Sequence, residues 1–210
     1  MPRLEVMSAR VVDDAMRAYY ARRAREYDDW WLGTGLFAER VRPGWSEEVA
    51  ALVEVVRELP RCRWLDVACG TGFLTQHLHG QVVALDQAPT MVAIASLRVP
   101  GAQTVCGEAV PLPFADGSFD RVLTSHFYGH LGPEERDVFL AEARRAANGL
   151  IVIDSALQDD VEPEQWQERI LSDGSQHTVY KRYFNGPQLV TELSGGTILH
   201  EGRWFVAVET

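Results

Sequence analysis

The chain has 210 residues, of which 46% are hydrophobic, so it is long enough for one domain with its own core and short for two. Its formal net charge of −10 argues against a nucleic acid as partner, because such binding draws on clustered Lys and Arg. The basic residues Arg17, Arg22, Arg23 and Arg25 are interpreted as the solvent-facing side of a helix. The chain has no long apolar run, and its three cysteines lack metal-ligand spacing. We therefore expect a cytoplasmic protein with no membrane partner and no bound metal.

Two helices are predicted before the first strand. The first is capped by Asp13-Asp14 and runs to about Arg25, while the second is capped by Ser46 and ended by Pro60. From residue 63 onward, short apolar runs alternate with helical patterns, which is typical of an α/β fold with a doubly wound parallel sheet and helices on both faces. The five predicted strands are 63–67, 81–85, 102–106, 119–124 and 150–154. The helices predicted between them lie near 73–79, from residue 89, and from 133 to 148.

The pattern changes after Asp154. A short helix is predicted from Pro163 to Leu171, followed by an extended segment at 176–184 and a helix near 188–193. Two β-prone runs, 197–201 and 203–209, flank Gly202 and predict a hairpin. We expect this hairpin to add an antiparallel edge to the sheet.

The most informative stretch is Trp64-Leu65-Asp66-Val67-Ala68-Cys69-Gly70-Thr71-Gly72. An apolar strand ends in an acid and continues into Gly-X-Gly, a sequence that lets the backbone pass close to a ligand. Twenty residues later Asp86 ends the next apolar run, and an acid at this position is well placed to bind ribose hydroxyls. The two features together predict an adenosine-containing cofactor across the carboxyl ends of two parallel strands.

The spacing of the glycines distinguishes between cofactors. Counted from Gly70, the third glycine of the dinucleotide pattern G-x-G-x-x-G is replaced by Thr75, and no phosphate-binding G-x-x-x-x-G-K-[ST] sequence is present. Asp66, just before the loop, would repel a pyrophosphate and suits a cationic ligand. S-adenosylmethionine, with its sulfonium and amino groups, fits this pattern.

Three segments together resemble the class I S-adenosylmethionine-dependent methyltransferases, in particular the small-molecule type 11 group. These segments are 66–72, 85–91 and 107–120, the last with Glu108 where the family usually has Asp. The resemblance implies a Rossmann-like, mostly parallel seven-stranded sheet with an antiparallel edge strand. It also implies S-adenosyl-L-methionine as cofactor. We expect a single domain over 1–210, with an N-terminal helical cap at 1–60, a cofactor-binding core at 61–154, and a substrate-side insert with the C-terminal hairpin at 155–210.

The resemblance also assigns the cofactor site residue by residue. The assigned residues are Asp66, Ala68, Gly70, Gly72, Asp86, Gln87, Met91, Glu108, Ala109, Ser125, Tyr20 and Tyr27. The glycines and the two tyrosines are expected near the methionine end, and Asp66 near its amino group. Asp86 is expected to bind the ribose, while Met91, Glu108 and Ala109 contact the adenine. For each acid the alternative is a helix cap, a turn residue or a solvated loop acid.

The segment after the fourth strand is rich in histidine and lies where the strand order reverses, which is where ligands bind in open α/β sheets. If it is extended, His126, Tyr128 and His130 point to one side. We interpret His126 as a general base and Tyr128, His130 and Trp31 as substrate contacts. The alternatives are structural histidines and, for the tryptophan, core packing.

The sequence therefore predicts methyl transfer from S-adenosylmethionine to an O, N, C or S nucleophile of a small molecule, by a monomer or homodimer. One alternative is a cofactor-binding protein of the same fold that does not methylate and serves in regulation or in a rearrangement. A nicotinamide oxidoreductase is the other.

Overall fold

The computed structural model describes residues 14–210, with side chains from Met16 onward. It contains nine strands: β1 Cys62–Val67, β2 Gly80–Asp86, β3 Gln103–Cys106, β4 Arg121–Ser125, β5 Gly149–Ser155, β6 Glu164–Ile170, β7 Gln176–Arg182, β8 Thr197–Glu201 and β9 Phe205–Glu209. Seven of them form one sheet in the order β3-β2-β1-β4-β5-β9-β8, and β6 and β7 form a separate hairpin. This confirms the predicted seven-stranded α/β sheet.

Strands β1 to β5 are mutually parallel, and the order reverses between β1 and β4. The antiparallel pairing expected at the edge is formed by β8 and β9. The strand that reverses direction is β9, which lies one position in from the edge and also pairs antiparallel with β5.

The described helices are α1 Asp14–Arg23, α2 Tyr27–Leu32, α3 Trp45–Glu58, α4 Pro89–Arg98, α5 Pro133–Ala146 and α6 Gly186–Glu192. The first predicted helix is shorter than expected, because a 3₁₀ turn at Ala24–Glu26 separates α1 from α2. Of its predicted caps, Asp13 lies outside the described residues. Among residues 14–210, no helix is long and apolar enough to cross a membrane.

Two predicted helices are wrong. The segment near 73–79 contains only a 3₁₀ turn, Thr75–His77. The segment from Pro163 is the strand β6, in which half-buried and exposed residues alternate. Its Glu, Gln and Arg residues favour helix, but pairing along its whole length with β7 determines the observed conformation.

The sheet is covered on both faces, so neighbouring residues of its central strands are buried in different clusters. Ile151 and Ile153 of β5 pack in one cluster with Leu52 of α3, while Val152 packs in the other with Phe139 of α5. All five side chains are inaccessible to solvent. This burial on both faces explains why the strands are continuous apolar runs in the sequence.

Two elements cover the carboxyl ends of the parallel strands. Helix α1 packs on one side against α4, where Tyr20 contacts the buried Met91. On its other side Tyr19 packs against Leu171 and Val179 of the β6–β7 hairpin. Together, α1 and the hairpin form a roof over the edge of the sheet where ligands bind in this type of fold.

Candidate active site

Two adjoining cavities lie under this roof. The large cavity has a volume of about 750 Å³ and the small cavity about 290 Å³. Both are lined by Tyr19, Tyr20, Tyr27, His126, His130 and Val179. These shared residues form the boundary between the two cavities.

The large cavity lies over the ends of β1, β2 and β3 and contains most of the predicted cofactor site. The predicted residues that line it are Tyr20, Tyr27, Ala68, Gly70, Asp86, Gln87, Met91, Glu108, Ala109 and Ser125. Its lining therefore brings together residues from α1, α4 and four separate strand ends. The two predicted residues that do not line it are Asp66 and Gly72.

The loop after β1 is held in left-handed backbone conformations. Ala68 has φ +58° and Gly70 has φ +56°. A Cβ on Gly70 would lie 3.3 Å from the ring of Tyr27, so the loop passes close to the aromatic wall of the cavity. Gly72 also has positive φ, but a Cβ there would lie 3.2 Å from Val99 Cγ2. Gly72 therefore allows close packing against the C-terminal end of α4, and its role at the cofactor stays a prediction.

Asp86 stands at the end of β2 in the wall of the large cavity. Its Oδ2 accepts a hydrogen bond from the backbone N–H of Gly70 at 2.9 Å, and its Oδ1 accepts one from that of Ala88 at 2.9 Å. Burial raises the pKa of Asp86 to about 6, although these backbone hydrogen bonds oppose the shift. Each oxygen retains acceptor capacity toward the cavity.

Asp66 is buried one strand away and holds the backbone that follows the glycine loop. Its Oδ2 accepts a hydrogen bond from Thr75 Oγ1 at 2.5 Å, and the residue is 3% exposed. Burial raises its pKa to about 7. The side chain binds the turn that follows the glycine loop, which agrees with the structural alternative. A contact with the amino group of the cofactor stays a prediction.

The wall of the large cavity also contains another acid and two buried polar atoms. Glu108 lines it and forms an ion pair with Arg17. Ser125 Oγ and Gln87 Oε1 are buried, and neither has a hydrogen-bond partner among the described residues. Buried polar groups without partners are costly, so they fit a cavity whose ligand offers amines and hydroxyls. S-adenosylmethionine offers both.

His126 follows β4, has φ +53°, and is 8% exposed in the boundary between the cavities. Its Nδ1 lies 3.4 Å from Ser155 Oγ and 3.7 Å from Asp154 Oδ1, whereas its buried Nε2 has no partner in the described chain. Burial lowers the pKa of His126 below its usual value despite the nearby carboxylate, so the ring is neutral near pH 7. A carboxylate beside Nδ1 favours the proton on that nitrogen, which leaves the Nε2 lone pair free.

Asp154, at the end of β5, is fully buried and held by three groups. It accepts hydrogen bonds from the backbone N–H groups of Gly129 and Ser155, both at 2.7 Å, and forms an ion pair with Lys181. Burial alone would raise the pKa of Asp154, but the charge of Lys181 and the neighbouring ring of His126 hold it well below its usual value. The carboxylate therefore stays charged beside the histidine.

His130 also lies in the boundary, where it was expected. Its Nδ1 is 2.7 Å from the carbonyl oxygen of Tyr180 and must therefore donate to it. Burial lowers the pKa of His130 to about 3, so the ring is neutral. A role for its Nε2 in substrate binding stays a prediction.

Two predicted substrate contacts lie in the core instead. The segment after His126 is a 3₁₀ turn, Tyr128–His130, so its alternate residues do not share one side. Tyr128 is 1% exposed and packs 5.7 Å from the ring of Phe184. Trp31 is 4% exposed and stacks on Phe73 at 4.7 Å. Neither residue lines the large cavity or the small cavity.

The sequence reasoning missed the polar residues of the small cavity and the pair behind His126. The missed residues are Arg23, Arg40, Arg42, Arg169, Lys181 and Asp154. Arg23 in particular does not belong to a solvent-facing helix side, because it lines the small cavity. Asp154 has a sequence signal that was available, since it ends an apolar strand in the same way as Asp66 and Asp86.

Comparison with known proteins supports the family. Residues 65–153 match the family model described as a methyltransferase domain. The chain is 26% identical over 154 residues to an uncharacterized methyltransferase of Alkaliphilus oremlandii, covering 71% of this chain and 69% of the relative. It is 30% identical over 144 residues to a demethylmenaquinone methyltransferase of Thermotoga maritima, covering 66% and 59%. The chain thus spans little more than half of that enzyme.

Solved structures agree on the fold. DhpI in complex with SAM and HEP is 24% identical and superposes with a TM-score of 0.76, covering 96% of this chain and 98% of that one. The [4+2]-cyclase SpnF, at 21% identity, gives a TM-score of 0.62 and covers 88% and 73%. The family match confirms the resemblance and with it the cofactor, S-adenosylmethionine, while the solved structures agree on the fold alone. Residues 65–153 form a methyltransferase domain of the class I, S-adenosylmethionine-dependent kind.

Proposed function

We propose that the protein transfers the methyl group of S-adenosylmethionine to a small-molecule acceptor, and that His126 is the general base. The observation that carries this proposal is the buried, unpartnered Nε2 of a neutral histidine at the boundary between the two cavities. A group in this position reaches ligands in both. When bound, the cofactor supplies a methyl carbon that its sulfonium already activates.

The residues of the large cavity would hold the cofactor. Asp86 is suited to accept hydrogen bonds from the two ribose hydroxyls, and the loop of Ala68 and Gly70 brings backbone close to the methionine end. Met91 and Ala109 supply an apolar and backbone surface for the adenine. Glu108 remains the proposed acceptor for the adenine amine, although Arg17 already pairs with it.

His126 would take the proton that a hydroxyl, amine or thiol loses when it is methylated. Asp154 positions the ring through Nδ1 and stabilises the cation that forms, and Lys181 keeps that carboxylate charged. The surrounding aromatic side chains exclude water and hold the reactants together, which supplies several kcal/mol in its own right.

The size of the site supports a small acceptor. Ligand cavities of about 300–1,000 Å³ are typical of small molecules and cofactors. The two cavities, of about 750 and 290 Å³, fit a cofactor with a compact acceptor beside it. The Thermotoga relative is named for demethylmenaquinone, also a small molecule, but the present site gives no reason to choose that acceptor.

We also propose a single working unit over 1–210, in the cytoplasm, as a monomer or homodimer. The cavity walls combine residues from 1–60, 61–154 and 155–210. Cys62, Cys69 and Cys106 are all free thiols, which fits a reducing compartment.

Calorimetry with S-adenosylmethionine, S-adenosylhomocysteine and NAD tests the cofactor, and release of S-adenosylhomocysteine over a panel of small acceptors tests the reaction. We expect binding of the first two ligands and release with some members of the panel. Binding of NAD alone would contradict the proposal. Cofactor binding without release from any acceptor would favour the alternative of a non-methylating protein, for which the shared fold of a [4+2]-cyclase is a precedent.

A further inference from the structure

We propose that the small cavity is a binding site for a doubly charged oxyanion carried by the methyl acceptor. The site itself is argued from the cavity, while its assignment to the acceptor rests on the proposed function.

The lining of the small cavity is strongly basic in an otherwise acidic protein. Five of its twenty lining residues are Lys or Arg, and none is Asp or Glu. The five are Arg23, Arg40, Arg42, Arg169 and Lys181. Because the chain has 30 acidic residues and only 20 Lys and Arg residues, this composition is not expected by chance and indicates an anionic ligand.

Only one of these cations has a counter-charge. Lys181 pairs with Asp154, but within residues 14–210 the four arginines have no carboxylate within ion-pair distance. Partial burial lowers the pKa of Arg40, and the charges of Arg169 and Arg23, which line the same cavity, lower it further. An anion between them would remove this repulsion.

The guanidinium groups are fixed by neutral partners. Arg42 donates to the carbonyl oxygen of Trp30 at 3.1 Å and lies 3.7 Å above the ring of Trp45. Arg23 donates to the hydroxyl of Tyr19 at 2.9 Å. Arg169 donates to the side-chain oxygen of Gln167. These contacts use few of the five N–H donors of Arg23, Arg42 and Arg169 and supply no counter-charge, so most donors remain for a ligand.

The chemistry of the ligand follows from these donors. Planar guanidinium groups bind oxyanions through paired hydrogen bonds, and four of them around one cavity exceed what a single carboxylate can satisfy. A group with two charges and three or more oxygens, such as a phosphate, matches the set better. Anchored there, an acceptor would extend toward His126 and His130, which line both cavities.

The competing occupant is the carboxylate of the cofactor's own methionine part, because Tyr20 and Tyr27 are shared by the two cavities. Arg40 and Arg169 distinguish the two possibilities. Both line only the small cavity, so a ligand confined to the large one would not depend on them.

The test measures binding of inorganic phosphate, sulfate and acetate to the full chain saturated with S-adenosylhomocysteine, by calorimetry and by the rise in Tm. We expect saturable binding of phosphate and sulfate and weaker binding of acetate. The double variant Arg40→Gln/Arg169→Gln should weaken phosphate at least about tenfold, since hydrogen bonds to charged groups are the stronger ones. Arg25→Gln, an exposed arginine of the same N-terminal region that lines neither cavity, should change it less than about twofold.

Arg40 is exposed and Arg169 half-buried, so the double variant should fold, and its Tm without ligand is the control for that. Arg169→Lys, which keeps the charge, should retain part of the phosphate affinity. No saturable phosphate binding, or equal binding by the double variant, would overturn the proposal. So would an equal loss of S-adenosylhomocysteine affinity, which would assign the arginines to the cofactor. Phosphate binding by a protein that binds neither cofactor form would leave the oxyanion site intact and refute the proposed function.

Discussion

The two cavities share six lining residues and yet are opposite in charge. The lining of the large cavity contains Asp86, Glu108, Glu135 and Glu164 and no Lys or Arg, whereas that of the small cavity contains five Lys and Arg and no acid. Glu108 and Glu164 pair with arginines outside that lining, which leaves Asp86 and Glu135 without an arginine or lysine partner among the described residues. The net charge of −10 describes neither one. The difference shows that the residues lining each cavity, and not the net charge of the chain, determine its electrostatic potential. The large cavity suits a sulfonium cation, and the small cavity suits an anion.

The two cavities also differ in how the chain builds them. The large cavity is formed mainly by the loops that directly follow β1, β2, β3 and β4, so its residues lie next to strand ends in the sequence. The small cavity takes its cations from α1, from the loop before α3, and from both strands of the β6–β7 hairpin. Methyl transfer would take place at the boundary, where the neutral His126 and His130 separate the large cavity from the small one.

The largest expected effect is at that boundary. His126→Asn keeps a residue that tolerates the left-handed backbone and removes the base, so turnover should fall by roughly 10²–10⁴ while S-adenosylhomocysteine affinity stays within about twofold. The wild-type rate should fall with acid below pH 6.5, because the protonated ring accepts no proton and burial lowers its pKa from that value. The His126→Asn variant should not show this fall in rate at acidic pH.

Tyr128→Phe is the matched control for His126, since it lies two residues away in the core and was a predicted substrate contact. Its turnover should equal that of the wild type. If His126→Asn loses stability, cofactor affinity and turnover together with an unchanged pH profile, the histidine is structural and the boundary has no base.

The second-largest expected effect tests whether the loop of Ala68 and Gly70 contacts the cofactor in the large cavity. Gly70→Val should lower S-adenosylmethionine affinity about 30- to 100-fold, because the added atoms press on Tyr27 and intrude on the ligand. Gly117→Val is the control, with φ +64° and open space around its Cβ position. Both variants carry the same backbone strain, so equal losses of affinity in calorimetry would mean that general destabilisation, and not the cavity, is responsible.

The smallest effect concerns the two strand-end acids. Asp86→Asn should weaken S-adenosylhomocysteine about tenfold, whereas Asp66→Asn, buried outside the cavity, should change it less than about threefold. Burial raises the pKa of Asp86 to about 6, and the charged form accepts the hydroxyls. Wild-type affinity measured by titration should therefore fall as the pH drops through 6. A profile that is the same in Asp86→Asn would assign the dependence to another group.

The sequence predicts one cavity much better than the other, and the reason is physical. Strands β1, β2, β4 and β5 are largely buried and form apolar runs in the sequence, whereas the edge strand β3 is partly exposed. Most of the proposed cofactor residues lie at the ends of these strands or directly after them. The sequence does not show that Asp66 and Gly72 lie outside the lining of the large cavity, because an acid at a strand end and a glycine in a left-handed turn have the same sequence pattern whether or not they face a cavity. For Gly72 the position of α4 decides this.

The arginines of the small cavity follow no local pattern. Arg23, Arg40 and Arg169 come from segments that are distant in the sequence. In its own segment, each arginine looks like an ordinary solvent-facing residue. The β6 strand was predicted as a helix for a similar reason, since its pairing with β7 is a tertiary contact. A site that is formed by such tertiary contacts cannot be predicted from the periodicity of the sequence.

The left-handed backbone at the end of β4 also restricts how this protein can evolve. Asparagine and aspartate adopt that conformation readily, and a single base change in a histidine codon produces either one. Most other replacements at this position would add strain to a buried site. If the imidazole is the base, the mutations that the fold tolerates best here are those that abolish transfer and leave the cofactor cavity intact. A methylating enzyme of this shape is thus one nucleotide away from a stable protein that binds its cofactor without using it.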